Sequence, residues 1–302
     1  MIGQLGGQTA EPPPSEQGEG EPDGSHNHLG RTMKLRDWIL GLSAASAATL
    51  VYGALVEANR LKVERVRLRL PRWPERLAGY RIALLGDFHL RDRYTTALGC
   101  KAVAAALDEA PDMVALVGDY VGYWRPDSED LLYEVLEPML LMEGNVVAVP
   151  GNHDHWHAPP LLLDGIMASL NIRLLRNEIW RHGGVAWVGI DSANAHCADP
   201  RAAVKGLHKS DAAVALWHEP DCVEALPPGP ALMLSGHSHG GQFTFPWGWT
   251  PMHTCNGERF VRGYFPNAPT PLYVTRGIGT TGPPSRLNCS PEVTILTLEP
   301  GA

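Results

Sequence analysis

The sequence predicts a layered α/β fold, and three observations carry that expectation. Short apolar runs of strand length alternate with helical stretches, five of those runs end in polar metal-competent residues, and 44% hydrophobic residues in 302 can cover a sizeable core. The formal charge of -8 supplies no basic field to gather a nucleic-acid backbone, so polymeric DNA or RNA is a poor substrate for this chain. The five cysteines are odd in number and none stands in C-x-x-C or zinc-ribbon spacing. They read as buried or incidental thiols and leave the redox compartment open.

Residues 1–32 are rich in Pro, Gly, Glu and Gln and nearly free of large apolar side chains. Such a segment cannot offset the entropy of folding and is expected to be a disordered leader. Met33 opens a basic Met33-Lys34-Leu35-Arg36 stretch that also fits a translation start. Residues 33–58 follow as a membrane anchor or signal. Within them 38–56 carry no charge, and at about 1.5 Å per residue they span a hydrocarbon layer of roughly 30 Å. A cleaved signal, through Ala45-Ser46-Ala47, and a buried Ala-rich helix are the competing readings. Apolar character continuing through Leu50 to Val56 favours a retained single-pass anchor in the cell membrane. Arg31, Lys34 and Arg36 precede it, whereas Arg60, Lys62, Arg65, Arg67, Arg69, Arg72 and Arg76 follow. The excess of positive charge after the span favours, by a small margin, a cytoplasmic catalytic domain at 59–302.

Val66, Leu68 and Leu70 alternate with Arg65, Arg67 and Arg69, the period-2 pattern of a half-buried edge strand with a basic outer face. Further strands are expected at 81–85, 113–117, 146–149, 185–190, 213–217, 231–234, 272–275 and 293–298, with helices at 101–110 and 128–142. No internal repeat is visible.

The chemistry collects at strand ends, where ligands gather in α/β sheets. In order these are Gly86-Asp87-Phe88-His89, Gly118-Asp119, Gly151-Asn152-His153-Asp154, Trp217-His218 and Gly236-His237-Ser238-His239-Gly240-Gly241-Gln242. Carboxylate, amide and imidazole suit Mn, Fe or Zn, and two ions about 3.5–4 Å apart need a bridging carboxylate. Asp87 and His89, two residues apart, share a face if the segment is extended, and so do His237 and His239.

This ordered five-block set resembles the calcineurin-like metallophosphoesterase superfamily, across about residues 81–298. The resemblance implies a four-layer sandwich, two mixed sheets flanked by helices, following the N-terminal membrane-anchor helix. It further implies two divalent metal ions, Mn favoured. Asp87, His89, Asp119 and His239 would hold one, and Asp119, Asn152, His218 and His237 the other, with Asp119 bridging. His153 is the expected acid for the leaving oxygen, and Asp154 is expected to orient its imidazole. The Gly-His-Ser-His-Gly-Gly-Gln form, Tyr52-Gly53 after the apolar segment, Arg276-Gly277-Ile278-Gly279 and Pro291-Glu292 are similar to a bacterial membrane-anchored or exported branch. That branch includes enzymes resembling UDP-2,3-diacylglucosamine pyrophosphatases of lipid A synthesis. Gly122 stands where many relatives carry Asp, and Asn288 sits in a stretch usually more apolar.

The implied activity is hydrolysis of a phosphodiester or pyrophosphate bond by metal-activated water, on a small phosphorylated, lipid-linked or UDP-linked substrate. The alternatives are a general exported phosphomonoesterase, a non-catalytic binding protein of the same fold, and a structural membrane protein. No protein partner can be inferred. Among the other polar residues, His155 and His157 read as solvent-facing loop histidines. Asp191 either orients a ligand histidine or caps a turn, and Arg276 and Arg286 form structural ion pairs or bind phosphate. The Trp247, Trp249 and Phe260 region either covers the core or receives an acyl chain.

Overall fold

The computed structural model describes residues 34–156 and 161–301. The expected leader 1–32, the start at Met33 and His157 lie outside the described residues. Residue proximity divides the chain after Ser43. The described part of the first unit is the opening of a helix, α1 (Leu35–Leu55), which continues into the second unit. By length and composition this helix is able to cross a membrane.

In the second unit the described residues form two six-stranded sheets. The first contains β1 (Lys62–Leu70), β2 (Tyr80–Leu85), β3 (Met113–Leu116), β4 (Val146–Ala148), β5 (Arg173–Leu174) and β12 (Glu292–Pro300), in the order β1-β12-β2-β3-β4-β5. The second contains β6 (Glu178–His182), β7 (Val185–Gly189), β8 (Ala213–Leu216), β9 (Leu232–Ser235), β10 (Gly263–Phe265) and β11 (Leu272–Val274), in the order β10-β11-β9-β8-β7-β6. Both are mixed. β12 runs parallel to β1 and antiparallel to β2, and β6 and β10 pair antiparallel to β7 and β11.

The central strands are apolar on both faces because both faces are covered. Ile82 and Leu84 of β2 pack with Trp187, Val214, Leu216 and Leu234 of the opposing sheet. Ala83 and Leu85 pack outward against α2 (Arg93–Leu107), α3 (Ser128–Leu136) and α5 (Leu162–Ser169). The second sheet turns Val188, Ala215 and Met233 toward the layer that includes α6 (Pro200–Ala203). This is the expected two-sheet architecture flanked by helices. The edge position of β1 is as expected too, with Leu68 and Leu70 buried and Arg65, Arg67 and Arg69 exposed.

Three differences have physical causes. The helix expected from residue 101 begins at Arg93, because Asp92 accepts from the Tyr94 and Thr95 N–H groups while Thr95 bonds back, a reciprocal capping box. The helix expected over 128–142 tightens into a 3₁₀ turn after Leu136, with Pro138 at its start. Strands β5, β6 and β10 escape the apolar pattern because they are short and lie at or next to sheet edges, where polar residues such as Glu178 and Arg181 face water.

The C-terminal end of α1 is fastened to the loop before β12. Ser285 Oγ donates to the Leu50 carbonyl at 3.1 Å and the Arg286 N–H to the Gly53 carbonyl at 3.2 Å. A Cβ on Gly53 would meet Ser285 Oγ at 2.1 Å, so the close approach requires glycine. Glu57, buried just beyond the helix, accepts from Ser290 Oγ at 2.6 Å.

Candidate metal centre

The strand ends bring Asp87, His89, Asp119, His218, His237 and His239 into one buried cluster, and Asn152 is buried between Gly151 and His153, both of which touch Asp119. They do so by a route that the alternation of an extended chain does not give. Asp87, His89, Asp119, His237 and His239 all have positive φ, between 47° and 69°, so neither the Asp-x-His nor the His-x-His segment is extended. Each such residue costs roughly 1–2 kcal/mol, a strain that folded proteins hold mainly at functional sites. These left-handed residues lie in the turns that follow β2, β3 and β9. Gly118, at φ 87°, lets the Asp119 turn lie against the next one, since a Cβ there would meet the Gly151 nitrogen at 2.4 Å.

Two sets of donor atoms form around the strand ends, and a third, His89 with Asp119 and His153, overlaps both. Asp87, His89 and His239 make one, with His89 Nε2 and His239 Nε2 3.0 Å apart. Asp119, His218 and His237 make the other, with His218 Nε2 and His237 Nδ1 3.1 Å apart. Two carboxylate oxygens lie between them, Asp119 Oδ2 the nearer, 3.4 Å from His89 Nε2 and 3.2 Å from His218 Nε2, and Asp87 Oδ1, 3.7 Å from His239 Nε2 and 4.0 Å from His218 Nε2. The other oxygen of Asp119, Oδ1, accepts the His153 backbone N–H at 2.9 Å.

The ring protons are fixed from behind, since a carbonyl can only accept. His218 donates Nδ1–H to the Val117 carbonyl at 2.6 Å and His237 donates Nε2–H to the Cys255 carbonyl at 2.8 Å. His218 Nε2 and His237 Nδ1 then face each other at hydrogen-bond distance, so a proton on His218 or a bound cation must stand between or beside them. Asn152 Oδ1, buried, has no hydrogen-bond partner.

The electrostatics make the same demand. Burial pushes Asp87 up to about 7, with the Asp119 charge adding to the rise against the lowering influence of His218. Burial alone would raise Asp119 too, but the charge and hydrogen bond of His218 outweigh it and hold Asp119 well below the carboxylate range. The same contact lifts His218 well above its ordinary value against the pull of burial. Burial lowers His89 to about 3 and depresses His237 and His239. A pocket that keeps most of its imidazoles neutral beside buried carboxylates is suited to divalent cations, and these residues fit them.

His153 and Asp154 follow Asn152 on the single turn α4 (Asn152–His155). His153 donates Nδ1–H to the Gly122 carbonyl at 2.6 Å, and its ring meets that of His89 edge-on at 4.7 Å. Asp154 does not orient it. Its carboxylate is buried and accepts backbone N–H groups from Asp119, Tyr120 and Gly151, each at 2.8 Å. Asp154 thereby locks two strand-end turns together, and the expected orienting role passes to Gly122. Asp154→Ala should leave those three donors unpaired, at about 1–3 kcal/mol each, a loss comparable with the whole stability of a domain. A denaturant titration of the variant should show its midpoint fall sharply; a near-unchanged midpoint would remove this role.

Other expectations are corrected. His155 is no free loop residue, since its Nε2 lies 2.6 Å from Asp191 Oδ1, and Arg176 bonds the other Asp191 oxygen at 3.0 Å. Asp191 therefore serves His155 rather than any residue of the metal set. Arg286 is buried and spends its guanidinium on the carbonyls of Arg276, Gly277, Gly279 and Cys289. Arg276 pairs with Glu64 at 2.7 Å and Glu292 at 2.6 Å. Both arginines are structural. Phe260 is core, but Trp247 is fully exposed and Trp249 62% exposed, so these two do not cover it.

Two further residues contribute to the surroundings of the site. Glu219, buried, accepts from Ser192 Oγ and the Ala193 and Asn194 N–H groups, and so brings Asn194 to 3.1 Å from His237 Nε2. Arg91 bonds Thr280 through both Nη atoms beside the His89 and His153 cavity.

The sequence profile of one family, calcineurin-like phosphoesterase, matches residues 80–241. The phosphodiesterase YaeI of Escherichia coli is 30% identical over 277 residues, which cover 87% of this chain and 98% of that protein. The uncharacterized metallophosphoesterase YkuE of Bacillus subtilis is 25% identical over 287 residues, covering 89% and 99% respectively. The UDP-2,3-diacylglucosamine pyrophosphatase LpxG of Chlamydia muridarum is 25% identical, covering 83% of this chain and 92% of that one.

Proposed function

The chain belongs to the calcineurin-like phosphoesterase family and is a metal-dependent phosphoester hydrolase, and from that premise we propose that it hydrolyses a phosphodiester or pyrophosphate bond at a two-metal centre. Asp87, His89, Asp119 and His239 hold one ion and Asp119, Asn152, His218 and His237 the other. The observation that carries this reading is Asp119 Oδ2 standing between two sets of converging imidazole nitrogens. When bound, the ions supply Lewis acidity toward the phosphoryl oxygens and lower the pKa of water.

The chain's own residues do the rest. The Val117 and Cys255 carbonyls hold the ligand rings in the tautomer that directs a lone pair inward. The His237 N–H donates to both Asp87 oxygens at 3.0 Å and fixes that carboxylate. With Nδ1–H committed to Gly122, His153 has Nε2 left to meet the leaving oxygen, and its imidazolium delivers a proton there. The cavity of about 360 Å³ beside His89 and His153, walled by Arg91, Tyr123 and Thr280, admits the ester.

A chromogenic phosphodiester is the first test. Turnover should vanish on chelation and return with Mn, and a metal-loaded protein inert toward diesters and pyrophosphates alike would sink the reading. The phosphodiesterase and pyrophosphatase names of the relatives support these bond types over a phosphomonoester. UDP-linked and lipid-linked substrates are carried together here. Reporters active only in the cytoplasm or only outside it, fused to the C-terminus, should place the domain on the cytoplasmic side. Export would exclude a UDP-linked substrate and favour an ester of the envelope.

A further inference from the structure

A second cavity, of about 310 Å³, adjoins the first and shares Arg91, Asp92, Thr280 and Pro284 with it as a common wall. Its far side is apolar. Ala54 and Leu55 come from the end of α1, Ala58 from the one-turn helix after it, Leu98 from α2 and Ile278 from the loop after β11. The groove therefore starts where the membrane-competent helix stops and ends at the wall it shares with the chamber of His89 and His153.

Two observations argue what occupies it. The helix end is fixed against the loop 283–290 by the Ser285, Arg286 and Ser290 bonds, so the mouth of the groove is held to the end of the apolar span. The same loop binds a second feature with the character of a bilayer-surface element. Thr244 N–H donates to the Leu287 carbonyl at 2.8 Å and Gln242 Nε2 to the Pro283 carbonyl at 3.1 Å, and the chain then projects Phe245, Trp247 and Trp249 into solvent. Exposed Trp beside an apolar span is the composition of a headgroup-level contact.

We propose that the groove takes an aliphatic chain of a membrane-lipid phosphoester, with its phosphorus in the His89 and His153 chamber. Resting on the phosphoesterase reading above, it selects among substrates for that site. Water adds its oxygen to phosphorus, the bond from phosphorus to the ester oxygen breaks, that oxygen leaves as an alcohol with the proton from His153, and the proton shed by the water restores the imidazolium.

The test uses the full chain in detergent micelles with p-nitrophenyl alkyl phosphodiesters from methyl to dodecyl. In the parent protein kcat/KM should rise about fourfold for each methylene buried and level off once the groove is full. Ala58→Trp should lower the dodecyl-to-methyl ratio at least tenfold. Ala54→Phe provides a second blockade, and metal content identifies a variant that has not folded. Comparing variants in the same micelles cancels any gain from chain partitioning into detergent. A flat chain-length series in the parent, or an unchanged ratio in both folded variants, overturns the groove and leaves the phosphoesterase intact. Failure of the parent on every ester of the series overturns instead the reading on which the groove rests.

Discussion

Asp119→Asn is expected to empty both halves of the metal centre together. Its Oδ2 is the atom within 3.4 Å of both His89 Nε2 and His218 Nε2, so replacing the carboxylate removes negative charge from two sites at once. Losing a group that merely orients a ligand costs about 10–100-fold in metal affinity, and losing a shared ligand should exceed that at each site. Asn keeps the shape and an oxygen to accept the His153 N–H, so the turn survives while affinity falls. Elemental analysis should find both ions lost and turnover abolished. His89→Ala, by contrast, should chiefly affect the Asp87, His89 and His239 set. Retention of two tight ions and full activity by Asp119→Asn would remove the bridge.

His153→Ala should separate chemistry from binding. The ring belongs to neither assigned ligand set, so the ions should stay while turnover drops on the order of 10²–10⁴-fold, the range for a positioned acid. The drop should shrink for an ester whose leaving group departs without a proton, such as p-nitrophenolate, and be largest for an alkoxide. Equal losses on both would reduce His153 to a structural donor. Because Gly122 contributes only its carbonyl, Gly122→Ala should leave the leaving-group dependence in place.

The five strand-end blocks were legible because each sets polar donors directly after an apolar run, a conflict that a strand resolves only at its end. The layered α/β class followed from the same runs, and the two-sheet architecture from the resemblance that the five blocks carry. The geometry within the blocks was not legible. Period-2 alternation assumes an extended chain, whereas five donors sit at positive φ, and nothing in the residue types Asp and His announces that. Asp154 was misread for a related reason. Adjacency suggested a partner for His153, but a helical turn points neighbours apart, and Asp154 meets backbone donors more than thirty residues earlier. The Asp191 and His155 pair and the exposed Trp247 depend on long-range packing, which short patterns do not encode.

The place of β12 in the first sheet has a consequence for when this protein acquires its shape. β12 lies between β1 and β2, so β1 has no other strand neighbour, and the strand synthesised last among those described separates the two synthesised first. At about 5–20 residues per second, α1 has left the ribosome many seconds before Glu292 is added. The helix that is able to cross a membrane is therefore available before the sheet closes. A nascent chain stalled before β12 would hold two unpaired strand edges, a state open to proteases and chaperones.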